Sequence, residues 1–572
     1  MIGEVRLSPD QRDLEILTDS AAEVASVLRA AVPDLRIRPS RGRLLLSFPE
    51  AAELLDVPSL GWAAEAERAV LNRRGARERA PRVAAEAEAI RTADVAELRA
   101  RLSGSRMAEI LDDHQLRNVA LMTIAGGWGT CIFDEQGTGK TPTLIAAFDV
   151  LAERNEADTL VVVSPKSMVG EWAEEFRRFC GDLYRVATVE GSRRQRASAL
   201  ASGPDVVVLN YEATISLRED LRLLATRSRV VLAVDESFNV KNPEAARTAA
   251  VSELREWCVR CFALCGTPAP NAPRDLVSQV DLVDFGMTFE GLSLSDDPEE
   301  DRETIRTALQ HRGLYTRNLK DDVFPDLPGR RFAEVPIEFA PQQARLYERA
   351  LDGLISDLEE VDDAGYREQQ LSFVERRSAL LRLCSNPVGV FPDYAEVPGK
   401  VIALDAVLER QVTAGEKVVL WSFYRASLDF LAERYSGYGL ARVDGSVQGV
   451  GMRRDAVRRF QEDDETMLFL GNPAAAGAGL TLHRSAMAIF ESFSNQAAHF
   501  MQSLDRIHRR GQERDVEYLV LLCAGSLEQV EYEQILRKVE RQADVLGDPR
   551  SYRPTREALL GELLDARGQM LG

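Results

Sequence analysis

Ten short apolar runs constrain this chain more than any other feature. Five fall between about residues 106 and 285: "TCIFDE", "TLVVVSPK", "DVVVLNY", "RVVLAVDE" and "RCFALCGT". Each is short, rich in β-branched residues and bounded by turn residues, and helical patterns separate them. Strands that are apolar throughout are covered on both faces, the condition of a parallel sheet between helical layers. After a gap five more follow: "KVVLWSFY", "ARVDGS", "TMLFLGNPAAAG", "MAIFESF" and "VEYLVLLC". The fold class is therefore α/β, with two lobes of one architecture over 106–285 and 400–545. A chain of 572 residues also exceeds what one hydrophobic core can organise.

Three stretches lie outside the lobes. Residues 286–399 are dominated by charged helical segments such as "PQQARLYERALDGLISDLEEV" and read as a helical insertion. Residues 1–105 join a strand-like "GRLLLSFP" to an Ala/Glu/Arg-rich helix from about 62 to 102, a small α+β accessory domain without signs of chemistry. Residues 546–572 read as a helical tail. Residues 1–105 and the helical insertion are the surfaces on which a protein partner is expected.

Composition excludes several classes. No run of about 18 apolar residues appears, and "MIGEVRLSPD" lacks the basic-then-apolar plan of a signal peptide, so a cytoplasmic protein with no membrane partner is expected. Seven cysteines, mostly inside apolar runs, fit that compartment. Cys258, Cys261 and Cys265 read as buried strand positions and not as zinc ligands, since no second Cys or His cluster follows. A net charge of −20 opposes general adhesion to a polyanion. Between Arg442 and Arg514, however, ten arginines face nine acids, and phosphate contacts are expected there. The 64 arginines against 7 lysines point to a high-GC genome, a bacterium or its virus.

"CIFDEQGTGKTPT" gives a strand, a glycine-rich turn and a helix start, the context a phosphate-binding loop requires. Backbone N–H groups at a helix N-terminus point at phosphate oxygens, and Gly137 and Gly139, flanking Thr138, allow close approach. Lys140 then reaches the β- and γ-phosphates, and Thr141 ligates Mg²⁺. Pro142 falls in the first helical turn, where a missing N–H costs little. Asp134 stands where the general G-x-x-x-x-G-K-[ST] pattern has its first glycine. "VVLAVDESF" supplies the second half: Asp235 and Glu236 end a parallel strand, the first suited to the Mg²⁺ shell and the second to the attacking water.

Taken in order, "DEQGTGKT", "DESF", "LCGTPAPN" and "QSLDRIHRRGQ" resemble motifs I, II, III and VI of the SWI/SNF-type ATPases in helicase superfamily 2. The likeness covers about residues 110–545 and includes "VVVSPKSMVGEW", "VVLNYE", "LYTRNLKDDVFPDLPGR", "VDGS", "AAAGAGLTL" and "GSLEQVEYEQILRK". It implies two tandem RecA-like lobes that bind ATP and Mg²⁺ and track along a nucleic-acid backbone. By the resemblance, Gln115 reads the adenine, Gly479 and Gln502 lie at the nucleotide, and Arg506 and Arg509 are arginine fingers. It further places Ser164, Pro165, Lys166, Asn210, Tyr211, Gly477, Gly479 and Thr481 along the phosphodiester backbone, with Thr267 coupling the two sites.

Two departures stand out. Motif II ends "SF" where Ala-His is common, which puts the coupling role of Phe238 in question. The Asp-x-x-Trp-Asn-Pro block appears as "ESFSNQ": Glu491 and Asn495 match, while Ser494 and Gln496 replace the tryptophan and proline. No histone-reading module is recognisable. The resemblance implies an ATP-dependent translocase on double-stranded DNA. An RNA- or RNA-polymerase-directed motor, or an ATP-gated clamp recruiting a partner such as a nuclease in a defence system, are the alternatives.

Overall fold

The computed structural model describes residues 2–8, 13–40, 43–269, 273–295, 298–447, 450–475, 480–494 and 496–542. Gly477, Gly479, Asn495 and the expected tail at 546–572 lie outside these residues. The chain divides into two compact units, Met1–Ala269 with Pro273–Val323, and Phe324 onward.

The first unit opens with a five-stranded sheet: β1 (Gly3–Leu7), β2 (Leu14–Leu17), β3 (Arg38–Ser40), β4 (Arg43–Leu46) and β5 (Leu60–Trp62), in the order β3-β4-β2-β1-β5. Only the β1–β5 pairing is parallel. Alternate residues Val5, Leu14, Ile16, Leu44 and Leu46 meet Val24 and Leu28 of helix Ala21–Ala31 in a core of their own. From this module runs a 29-residue helix, Ala64–Thr92, which packs on helix Asp113–Met122.

The main sheet of this unit has seven strands: β6 (Gly129–Ile132), β7 (Thr159–Ser164), β8 (Val186–Thr188), β9 (Val206–Asn210), β10 (Val230–Asp235), β11 (Arg260–Leu264) and β12 (Tyr315–Thr316). Their order is β12-β6-β11-β10-β7-β9-β8, and every pairing is parallel. The five expected runs are the central strands. Val161–Val163, Val207–Leu209 and Val231–Val234 are fully buried, as two-sided cover demands. Cys261 and Cys265 are buried too, and burial pushes both thiols up to about 12.

The second unit repeats the plan with six parallel strands: β13 (Arg330–Ile337), β14 (Val418–Trp421), β15 (Leu440–Val443), β16 (Leu468–Gly471), β17 (Met487–Phe490) and β18 (Val516–Cys523), ordered β13-β18-β17-β14-β16-β15. The stretch read as a helical insertion is shared. Helix Pro298–Arg312 and β12 belong to the first unit; helices Pro341–Glu360 and Asp363–Ser385 belong to the second. There Tyr347, Leu351, Leu354, Phe373 and Leu380 pack with Leu527 of the last described helix. Among the described residues no helix is long and apolar enough to cross a membrane.

Candidate active site

Parallel strands bring their C-terminal ends to one edge, and register fixes which loops meet there. Ile132 of β6 pairs with Leu264 of β11, and Leu264 pairs with Asp235 of β10. The loops carrying motifs I, III and II therefore leave the sheet side by side.

Lys140 opens helix Lys140–Glu153, with Thr141 and Pro142 behind it in the first turn. Gly137 and Gly139 have φ of +87° and +90°, which L side chains rarely adopt. A Cβ on Gly139 would also fall 2.1 Å from Nε2 of Gln115. Lys140 Nζ donates to the carbonyls of Asp134 and Glu135 at 3.0 and 3.2 Å and to Gln136 Oε1 at 3.4 Å. His114 and Gln115 brace the loop from behind, their side chains donating to the Thr138 carbonyl at 2.8 and 3.0 Å. Gln115 Oε1 accepts from Asp112 N–H, so its carboxamide is held at both ends.

Asp134 accounts for the missing first glycine. It is buried, and it accepts from Asn118 Nδ2 at 2.6 Å, Thr316 Oγ1 at 2.8 Å, and both Asn318 N and Nδ2 at 3.1 and 3.0 Å. One carboxylate thus ties the phosphate loop to helix Asp113–Met122 and to the edge strand β12. Asp134→Ala strands these donors, of which Asn118 and Thr316 are buried, and is expected to cost about 3 kcal/mol, the upper range for unsatisfied buried groups. Lowered thermal unfolding of the full chain checks this; an unchanged transition contradicts it.

At the end of β10 the backbone turns sharply, and Glu236 takes a left-handed conformation with φ +50° and ψ +55°. Such strain in a non-glycine residue persists only where neighbours over-determine it. Tyr211 supplies part of that: its buried hydroxyl donates to the carbonyls of Asp235 and Glu236 at 2.5 and 3.2 Å. Trp172 Nε1 donates to Asp235 Oδ2 at 2.9 Å. Burial pushes the Asp235 carboxyl above its usual range, while the Trp172 indole and the Lys140 ammonium pull the other way. Gln136 Nε2 donates to Glu236 Oε1 at 2.9 Å, joining motifs I and II.

Motif III is tied in by a contact the sequence did not announce. Ser237, the first residue of the unusual "SF", donates to Gln279 Oε1 at 2.7 Å, and Gln279 Nε2 donates to the Pro268 carbonyl at 2.5 Å. Thr267 is buried, its hydroxyl without a hydrogen-bond partner among the described residues, and Phe238 is half-buried. Ser164 and Asn210 end β7 and β9, one strand and two strands from β10. Asn210 Oδ1 accepts from Ala213 N–H at 2.8 Å and caps helix Tyr211–Ser216; Lys166 is exposed and Pro165 half-buried.

In the second unit Arg506 and Arg509 follow helix Ala497–Leu504, which carries the buried Gln502. Arg509 Nη1 donates to the Leu480 carbonyl at 3.0 Å and to Thr481 Oγ1 at 2.8 Å; Arg506 reaches the same carbonyl at 3.4 Å. Gln512 Nε2 donates to the carbonyls of His483 and Ser485 at 3.0 and 2.9 Å. Motif VI is thereby laced to the segment holding Thr481. In the altered "ESFSNQ" block Glu491, Ser492, Phe493 and Ser494 are buried and Gln496 is exposed: Glu491 accepts from the hydroxyls of Ser385, Ser422 and Ser492, and Ser494 Oγ accepts from Gln496 N–H at 3.1 Å. Lys400, wholly buried, donates to Glu528 and to the Glu491 carbonyl, each at 2.5 Å.

Comparison with known proteins matches two domains in this chain. The SNF2-related domain matches residues 113–387, and the helicase conserved C-terminal domain matches 399–511. A mouse protein named chromodomain-helicase-DNA-binding protein 1-like is 28% identical over 467 residues, 75% of this chain and 49% of its own length. The Arabidopsis thaliana ISWI chromatin-remodeling complex ATPase CHR17 is 26% identical over 469 residues, 77% of this chain and 43% of its own. The chain thus spans less than half the length of these relatives. A solved Sulfolobus solfataricus SWI2/SNF2 ATPase core, in complex with dsDNA, aligns with 81% of this chain and 95% of that one, at 21% identity and a TM-score of 0.34. With both domains matched in sequence order, across the phosphate loop, the acidic strand end and the arginine-bearing motif, the chain belongs to the SNF2-related, helicase-like ATPases.

Proposed function

We propose that the protein hydrolyses ATP to move along double-stranded DNA, displacing or remodelling bound protein or branched DNA without having to separate strands. The observation that carries this reading is the row of loops after β6, β11 and β10, where a phosphate loop and two acids stand at one level of a parallel sheet. The residues fit a magnesium-bound nucleotide: among the described residues Lys140 donates to loop oxygens, and Thr141 and Asp235 offer the hard oxygen donors that Mg²⁺ prefers. Mg²⁺ supplies charge neutralisation on the phosphates. Loop amides from Gly137 to Lys140, with the Lys140 ammonium, hold the β- and γ-phosphates, and Gln115 and Gln502 line the nucleotide. Glu236 orients the attacking water and takes its proton; Arg506 and Arg509 stabilise the charge that develops on the transferred phosphoryl group.

The names of the relatives, one a helicase-DNA-binding protein and one a chromatin-remodeling ATPase, support DNA as the track. Pro165, Lys166, Asn210, Gly477 and Thr481 are the proposed backbone contacts, and Thr267 the link to the nucleotide; Ser164 and Tyr211 are buried, the Tyr211 hydroxyl held by motif II, and they support the track from beneath. A chain of net charge −20 grips DNA through a local track of few phosphates. Four or five neutralised phosphates give a salt slope of about −4. ATPase activity measured against salt, with two unrelated duplexes, single-stranded DNA and RNA side by side, is expected to show duplex stimulation of that steepness, independent of sequence. Stimulation by RNA alone, or by one duplex alone, contradicts the reading.

A further inference from the structure

Gln136 stands between the two groups that matter most in motifs I and II. Its Nε2 donates to Glu236 Oε1 at 2.9 Å, and its Oε1 accepts from Lys140 Nζ at 3.4 Å. The two bonds are unequal: the first is short and the second near the limit of a hydrogen bond. The amide is therefore anchored on the carboxylate and only lightly engaged by the cation. Its stem is fixed from a third side. A Cβ placed on Gly266 of motif III would fall 2.7 Å from Gln136 Cγ and 2.9 Å from Cδ, so the side chain lies flat on the motif III backbone, with little freedom to turn. Glu236 itself sits on a strained backbone, φ +50°.

We propose that Gln136 is a positioning residue that aims the Glu236 carboxylate at the attacking water, with the Gly266 backbone as its support. The inference rests on the reading of Glu236 as the group that takes the proton from water. Lys140 gives up its long contact to Gln136 when phosphate oxygens draw the ammonium away, and the shorter contact to Glu236 stays. Gln136 thus acts in turnover and not in nucleotide affinity. Methionine matches its length and packs on Gly266 equally well, but it cannot donate to a carboxylate.

The test compares Gln136→Met in the full chain and in the Glu236→Gln background, by steady-state and single-turnover ATP hydrolysis with saturating duplex DNA. Expected is a fall in kcat of roughly tenfold, the low end for an outer partner of a functional group, with KM for ATP within about twofold. In the Glu236→Gln background the same substitution is expected to leave the residual single-turnover rate unchanged, because there is no carboxylate left to aim. A kcat equal to wild type, an effect confined to KM, or an equal loss in both backgrounds overturns the proposal. Wild-type turnover by Glu236→Gln alone overturns the site reading beneath it, and this inference with it. Gln136→Asn, whose amide is too short to reach Glu236 from the same support, is expected to behave as Gln136→Met does.

Discussion

Lys140→Ala and Glu236→Gln are each expected to abolish steady-state ATP turnover, leaving at most a slow residual single-turnover rate, and to differ in what they still bind. Lys140 is the cation at the mouth of the phosphate loop, and its ammonium donates to the Asp134 and Glu135 carbonyls and to Gln136. Without it the β- and γ-phosphates lose their direct counter-charge, and ATP affinity falls with turnover. In the proposed site Glu236 acts on water and not on phosphate, and glutamine keeps its size and removes its basicity. Its variant therefore retains ATP and accumulates the nucleotide- and DNA-bound form. Binding of labelled ATP, measured beside hydrolysis, separates the two. Normal hydrolysis by either variant contradicts the site.

Arg509→Ala is expected to lower turnover by roughly 10³-fold, the low end for an arginine finger, while ATP affinity changes little. The guanidinium already has partners within its own unit, the Leu480 carbonyl and the Thr481 hydroxyl. Those contacts hold it in a defined orientation, so its loss removes a prepared charge and not a mobile one. The complementary measurement is ATP hydrolysis by the first unit alone, Met1–Val323. A rate equal to that of the whole chain means that no group in the second unit takes part.

The central strands of both main sheets were legible in the sequence because runs such as "TLVVV" and "VVLAV" are buried on both faces and leave no polar position to blur them. The edges were not. β12 has two residues, β8 has three, and β13 is "RRFAEVPI", whose charges and proline describe a strand half in water. Edge strands carry weaker apolar signals for that reason. The same distinction runs through the site. Lys140, Asp235 and Glu236 were visible because each belongs to a short motif next to its own strand. Gln136 and Trp172 were not, because the partners they touch lie 100 and 63 positions away in the chain. The four donors around Asp134 were hidden in the same way, three of them more than 180 positions distant. Tyr211 illustrates a finer point: its place beside a nucleic-acid motif gave no sign that its hydroxyl is spent on the backbone of motif II.

The long helix Ala64–Thr92 sets where a working fragment of this protein can be cut. Val83, Ala87 and Ile90 are buried on it, Arg79 and Arg82 close the carbonyls of Gly126 and Ala125, and Asn72 and Arg73 hold Glu256 at the far end of the same lobe. Family likeness begins at residue 113, but the folding unit begins well before it. A catalytic core trimmed to the matched residues would expose that apolar seam and leave the Ala125 and Gly126 carbonyls without their arginines. The accessory domain is thus the mount on which the first lobe is built, and it has to be carried along whenever that lobe is moved into another protein.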